Sequence, residues 1–186
     1  MRLDGATIAF DLDGTLVETA PDLIGALNVV LGERRLPPLP TEAARVLVGR
    51  GARVLIERGF AAAGATLAVC TNKPTALSNL LLEALGMAWR FKAVIGADSA
   101  PRPKPDPSHL LFAISQAGGD PARALMVGDS RADADAARAA HVPCILFPFG
   151  YTDTPVSELG ADLVIDRFAD LPAAAERLLI PRLAPA

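Results

Sequence analysis

Two aspartates one residue apart, Asp11 and Asp13, stand in the segment DLDGT directly after the apolar run Thr7–Phe10. Carboxylates this close repel unless a cation or a proton relieves them. Both remedies are useful chemistry. A divalent cation can neutralise Asp11, and Asp13 can carry a proton for general acid work. Gly14 lets the chain turn sharply behind the pair. The bland alternative is an Asx-type turn with both acids facing solvent.

Three further segments carry groups that fit the same chemistry. In VCTNKP, Thr71 and Asn72 lie where an apolar run ends and a helix pattern begins, and a hydroxyl beside free helix N–H groups suits a phosphate. Either residue could equally be a helix cap. In PRPKPDP, prolines bracket Lys104, and an ammonium aimed at clustered carboxylates and phosphate would offset charge in a transition state. A solvated lysine is the plain alternative, and Arg102 could compete for the role. In VGDSRAD, Asp129 ends a further apolar run and Asp133 follows four residues on. Oxygen ligands of this kind suit Mg²⁺. Asp133 also fits the third helical position behind a Ser130 cap, where an acid closes a capping box, and both roles can hold together.

The elements that must position these groups are legible from apolar runs. Thr7–Phe10, Thr66–Cys70, Ala93–Ile95, Ala124–Val127, Cys144–Phe147 and, more weakly, Leu163–Ile165 are apolar on consecutive positions, as in strands buried on both faces. Helical patterns alternate with them, which predicts an α/β fold on a parallel sheet. Helix starts are expected at Thr19, Thr41, Asn72, Asp106 and Ser130, each before an early proline or acid. Two helical stretches, roughly 20–35 and 41–60, fall between the first two strands with no strand between them. They read as a small helical insertion over the sheet.

Composition narrows the class. The 186 residues are 51% hydrophobic, enough for a real core without disulfides. The net charge of -3 offers no basic field for nucleic acid or an anionic membrane. No apolar segment is long enough to span a bilayer, and the N-terminus lacks a signal-peptide apolar region. Cys70 and Cys144 lie inside apolar runs and read as buried free thiols in a reducing compartment. A cytoplasmic protein is expected.

Taken in order, the acid pair, the hydroxyl, the lysine and the second acid pair resemble the haloacid dehalogenase superfamily. DLDGT, the strand-end Thr71, Lys104 before a proline, and GDSRAD match its four motifs, and the likeness runs through about Leu171. TNKP, KPDP, GDS and FGY at Phe149–Tyr151 resemble phosphoglycolate phosphatases in particular. The resemblance implies a Rossmann-like sheet flanked by helices, with a helical cap inserted after the first strand. It implies Asp11 as a nucleophile that forms an aspartyl-phosphate, and Asp13 as the acid and base. It implies Thr71, Asn72 and Lys104, with backbone N–H groups near Leu12 and Asp13, as holders of the phosphoryl oxygens. Mg²⁺ would be held by Asp11, the Asp13 carbonyl and Asp129, with Asp133 in support. The substrate implied is a small phosphate monoester, 2-phosphoglycolate first. A phosphosugar phosphatase or mutase of the same fold, and a non-catalytic binding relative, are the rival readings.

The domain division expected is a core of residues 1–16 and 61–186 with a cap remnant at 17–60. After Phe60 the chain runs into AAAGATLAVC without a clear turn, so several helices' worth of cap are missing relative to the family. A natural loss, an engineered deletion and a segment missing from the sequence would look alike there. Apolar residues of the remnant, including Leu47, Val54, Leu55 and Ile56, suggest a homodimer through this face. Arg50 and Arg53 could reach a substrate carboxylate, or be ordinary exposed helical arginines. His141 stands where the family has glycine after a helix, a left-handed position that histidine can adopt. His109 reads as a surface or packing residue.

Overall fold

The computed structural model describes residues 3–17, 64–150, 152 and 154–183. The predicted helices over 20–35 and 41–60, the caps at Thr19 and Thr41, the cap remnant beyond Val17 and its proposed dimer face lie outside the described residues.

Six parallel strands form one sheet: β1 (Thr7–Phe10), β2 (Thr66–Cys70), β3 (Ala93–Ile95), β4 (Ala124–Gly128), β5 (Cys144–Leu146) and β6 (Leu163–Val164). Their order is β3-β2-β1-β4-β5-β6. Four helices accompany them: α1 (Thr75–Ala84), α2 (Pro107–Gln116), α3 (Arg131–Ala139) and α4 (Leu171–Leu183). This is the expected α/β architecture. The first three strands have the predicted bounds. β4 extends one residue further, because Gly128 still pairs with Leu146. β5 and β6 each stop one residue early. Phe147 leaves the sheet to stack with Phe149, at 4.8 Å between ring centroids.

Side chains alternate between two cores, as the strand period requires. Ile8, Phe10, Leu67, Val69, Leu125 and Val127 face one side, packed with Leu82 of α1 and Leu171 and Leu179 of α4. Ala9, Cys70, Met126, Cys144 and Leu146 face the other, against Leu110, Ala113 and Ile114 of α2 and Ala134 and Ala137 of α3. Burial on both faces accounts for the near-continuous apolar runs.

Capping determines where the helices begin. Asp106 accepts a hydrogen bond from the Ser108 amide and precedes Pro107. Ser130 and Asp133 form the expected capping box of α3. The predicted start at Asn72 is displaced: α1 begins at Thr75 after Pro74, and Asp98 from the β3 loop caps it through the Thr75 amide at 2.8 Å. Helix α3 ends in a Schellman motif, with Val142 N bonded to Ala137 O and His141 N to Arg138 O. His141 has φ 57°, the left-handed conformation expected of it.

The chain steps from one side of β1 to the other between β3 and β4. That makes the β1/β4 seam the switch point of the sheet, where ligands of open parallel sheets collect beyond the carboxyl ends. Phe10 pairs with both Val69 and Val127, so β1, β2 and β4 finish within one residue of one another.

Candidate active site

Nearly level strand ends bring the separate motifs together. Asp11 follows β1, and its amide donates to Val127 O at 2.8 Å. Thr71 follows β2, Asp129 follows β4, and Lys104 enters from the loop before α2. Asp11, Asp13, Thr71, Asn72, Lys73, Lys104, Ser130 and Ala132 line a cavity of about 330 Å³ at this edge.

Lys104 is buried, contrary to the solvated alternative, with 4% of its surface exposed. Its Nζ donates to Asp11 Oδ1 at 2.8 Å, Asp133 Oδ1 at 2.6 Å and Cys70 O at 2.6 Å. Burial opposes the ammonium charge, but Asp11 and Asp133 outweigh it and hold the group protonated well beyond its ordinary range. Arg102 is exposed and pairs with Asp106 instead. The Lys104 backbone is clamped by Asn72, whose Nδ2 donates to Lys104 O and whose Oδ1 accepts from Lys104 N, both at 2.9 Å. Asn72 is thus a brace for the lysine loop, and its side chain caps no helix. The Thr71 hydroxyl accepts from the Lys73 amide at 3.2 Å, and Thr71 lines the cavity.

His109 is fully buried, so the expectation of a surface residue fails and the packing role stands. Its Nδ1 shares the Lys104 amide proton at 3.1 Å, and its Nε2 lies 3.2 Å from Ile95 O. A nitrogen that accepts on one side must carry its proton on the other, so the ring is the neutral Nε2–H tautomer. Burial, aided by the Lys104 charge, holds its pKa below the usual value.

The acids divide by environment. Asp11, Asp129 and Asp133 are buried, and they offer three carboxylate oxygens within 4.8 Å of one another. Burial pushes the Asp11 carboxyl up to about 8; Lys104 opposes that rise, and Asp133 and Asp129 add to it. Burial likewise pushes Asp129 up to about 7, with Asp133 adding to the rise and a hydrogen bond from Thr15 at 2.7 Å opposing it. Asp133 is saturated. Oδ1 receives Lys104, while Oδ2 receives the amides of Asp129 and Ser130 and the Ser130 hydroxyl. Asp13 stands apart: its carboxylate oxygens receive Lys73 Nζ at 3.1 and 3.3 Å. The third carboxylate of the cluster is therefore Asp133 rather than Asp13.

Sequence reasoning passed over Lys73 and Thr15, although both stand inside the quoted motifs TNKP and DLDGT. It also missed why two glycines are needed. A Cβ at Gly128 would strike the Asp133 carboxylate, and one at Gly150 would strike Asp129. Gly150 of the FGY segment thus leaves the space that Asp129 occupies.

Residues 52–141 match the family described as haloacid dehalogenase-like hydrolase. The chain is 48% identical to the phosphoglycolate phosphatase of Caulobacter vibrioides, over 98% of this chain and 96% of the relative. It is 41% identical to that of Agrobacterium fabrum, over 91% and 92%. The Caulobacter alignment runs over 227 residues against the 186 of this chain, so the relative carries residues with no counterpart here. Among solved structures, a predicted phosphoglycolate phosphatase from Haemophilus somnus superposes with a TM-score of 0.81 at 26% identity, covering 92% of this chain and 98% of that one. The CbbY protein of Rhodobacter sphaeroides, solved in complex with phosphate, shares the fold with a TM-score of 0.75 at 24% identity, covering 93% and 99%. With its motifs drawn to one sheet edge and relatives of this closeness over nearly its full length, the chain belongs to the haloacid dehalogenase-like hydrolases and is a phosphoric monoester hydrolase.

Proposed function

We propose that the protein is a Mg²⁺-dependent phosphatase for a small phosphate monoester, 2-phosphoglycolate foremost, acting through an aspartyl-phosphate on Asp11. The observation that carries this reading is the charge imbalance of the cluster. Three buried carboxylates face one buried ammonium; burial first, and the neighbouring carboxylates after it, raise Asp11 to about 8 and Asp129 to about 7. A divalent cation fits that deficit, and an all-oxygen donor set suits Mg²⁺. Asp11, the Asp13 carbonyl and Asp129 would hold it, while Asp133, its oxygens already engaged, supports Lys104 and the α3 start. Such an ion neutralises phosphoryl charge and aligns the ester for attack.

The residues of the chain supply the rest. Asp11 attacks phosphorus, and the ester oxygen departs as the new Asp–phosphorus bond forms. Lys104 holds the Asp11 carboxylate in place from below and offsets the charge that gathers there. Asp13 protonates the departing oxygen and later takes a proton from the water that attacks the acyl-phosphate. For each transfer one of its contacts to Lys73 opens. Thr71 and the amides near Leu12 and Asp13 meet the phosphoryl oxygens. Among the described residues, two buried free cysteines suit a reducing, cytoplasmic setting, and no helix is long and apolar enough to cross a membrane. Residues without counterpart in the shorter chain support the reading of a reduced cap, and self-association through its remnant is part of the proposal.

A panel of phosphate esters assayed with Mg²⁺ and with EDTA tests this. Cleavage of 2-phosphoglycolate ahead of hexose phosphates, lost in EDTA, is expected. Acid quenching during turnover should trap phosphate on Asp11. Preference for a phosphosugar would favour the phosphosugar phosphatase or mutase, and no turnover of any ester would favour the binding relative.

A further inference from the structure

Two lysines line the cavity, and they are not equivalent. An ammonium has three N–H donors. Lys104 directs all three inward, to Asp11, Asp133 and Cys70 O, and is buried. It can meet a substrate oxygen only by releasing a partner. Lys73 faces one carboxylate, that of Asp13, at 3.1 and 3.3 Å, and keeps 19% of its side chain exposed. One carboxylate engages at most two of its N–H groups. Among the described residues, the third has no protein acceptor.

The position of Lys73 decides what that donor can meet. Asp11 and Lys104 are the buried pair of the cavity lining, 8% and 4% exposed, and on the reading above phosphorus arrives at Asp11. Asp13, more exposed at 25%, would stand on the leaving-group side if it protonates the ester oxygen as proposed. A general acid works within roughly 3 Å of the oxygen it protonates. Lys73 Nζ, 3.1 Å from Asp13, is then at most about 6 Å from that oxygen. A carboxylate on the adjacent carbon of the leaving group spans about half of that gap and closes the rest with a charge-assisted hydrogen bond of about 3 Å. An uncharged alkyl group of equal size offers the ammonium nothing.

We infer that Lys73 is a specificity-determining residue that receives the negative charge of the leaving group. The site would then select phosphate esters of short hydroxy acids over esters of neutral alcohols. This rests on the phosphatase reading above and adds to it the residue that reads the leaving group.

The matched pair 2-phosphoglycolate and ethyl phosphate tests it, since the two differ by a carboxylate in place of a methyl group. With the full chain and Mg²⁺, Lys73→Met is expected to lose about 10- to 100-fold more kcat/KM on 2-phosphoglycolate than on ethyl phosphate, with the excess in KM. Lys73→Arg should keep most of the preference. The ratio of the two esters is taken on one sample, so a partly unfolded variant does not distort it. An equal loss on both esters, carried by kcat, would mean that Lys73 only holds Asp13 and would overturn the inference. Wild-type protein that cleaves both esters equally would also overturn it, leaving the phosphatase reading intact. Wild-type protein that cleaves neither would overturn both.

Discussion

Two cavities of nearly equal size lie at opposite ends of this sheet, about 330 Å³ beyond the carboxyl ends of β1 and β4 and about 310 Å³ where β5 and β6 begin. Both are lined by charged residues. At the amino end, Arg138 donates to Leu159 O at 2.9 Å and pairs with Asp135. Asp162 accepts from the Cys144 amide at 2.8 Å. Each charge there meets a backbone group or an opposite charge close to solvent. At the carboxyl end, three carboxylates are enclosed with one ammonium, and two of them are pushed out of their usual ionisation range. Volume does not distinguish a site from a crevice. Buried charge that the protein leaves unbalanced does, because it has a free-energy reason to take up a ligand.

The sharpest way to test this contrast is Asp11→Asn. It is expected to cut turnover by at least about 10³-fold while the fold persists, since a nucleophile is removed without change of shape. Steady-state assays with a thermal melt check both halves. Substantial Mg²⁺-dependent activity in that variant would sink the covalent mechanism.

Next in size is Asp133→Ala. It strips a saturated carboxylate from Lys104 and from the α3 capping box together. Removing one partner of a buried ion pair costs about 3–5 kcal/mol, which a urea titration will read as a lower midpoint. A loss below about 1 kcal/mol would mean that the pair behaves like a surface one.

Mg²⁺ should stabilise the wild-type protein by ordinary linkage, about 2.7 kcal/mol at a hundredfold excess over Kd. Asp129→Ala should erase most of that shift in a melting experiment. An undiminished shift would remove Asp129 from the ligand set.

The pH response follows from the same imbalance. Asp11 and Asp129 ionise near pH 4 in the unfolded chain but near 8 and 7 when folded. Between these values the folded state binds more protons, so the metal-free protein loses stability as pH rises from about 4 to 8. His109 acts oppositely. Its folded pKa is depressed, so its contribution is present above its unfolded value near 6.5 and is lost as pH falls below it. Denaturation in EDTA across this range should show the decline on the alkaline side, and Mg²⁺ should reverse it there. A stability that climbs from pH 7 to 8 without metal would contradict the buried cluster.

The smallest effect belongs to the other cavity. Asp162→Ala removes one hydrogen bond to the Cys144 amide. It should cost about 1 kcal/mol and leave kcat/KM within about twofold. A large loss of activity would show that the amino-end cavity is coupled to the chemistry.

The sequence alone determined what depends on near neighbours. Consecutive apolar residues marked β1, β2 and β3 to the residue, and the caps at Asp106 and Ser130 follow from side chains that reach only two or three positions along the chain. His141 was legible for the same reason, since a helix end imposes its backbone conformation locally. The motif residues Asp11, Thr71, Lys104 and Asp129 were identified, and the parallel alternation was enough to place them at one edge. Tertiary structure decided the partners. Asp13 turned to Lys73, 60 positions away, and Asp11 to Lys104, 93 positions away. Asp133 completed the carboxylate cluster, Asn72 became a brace, and His109 went inside. Such choices depend on which strand ends finish nearly level and which donors a buried acid finds within about 3 Å. No local pattern encodes that distance, because it arises only when the β1/β4 seam closes.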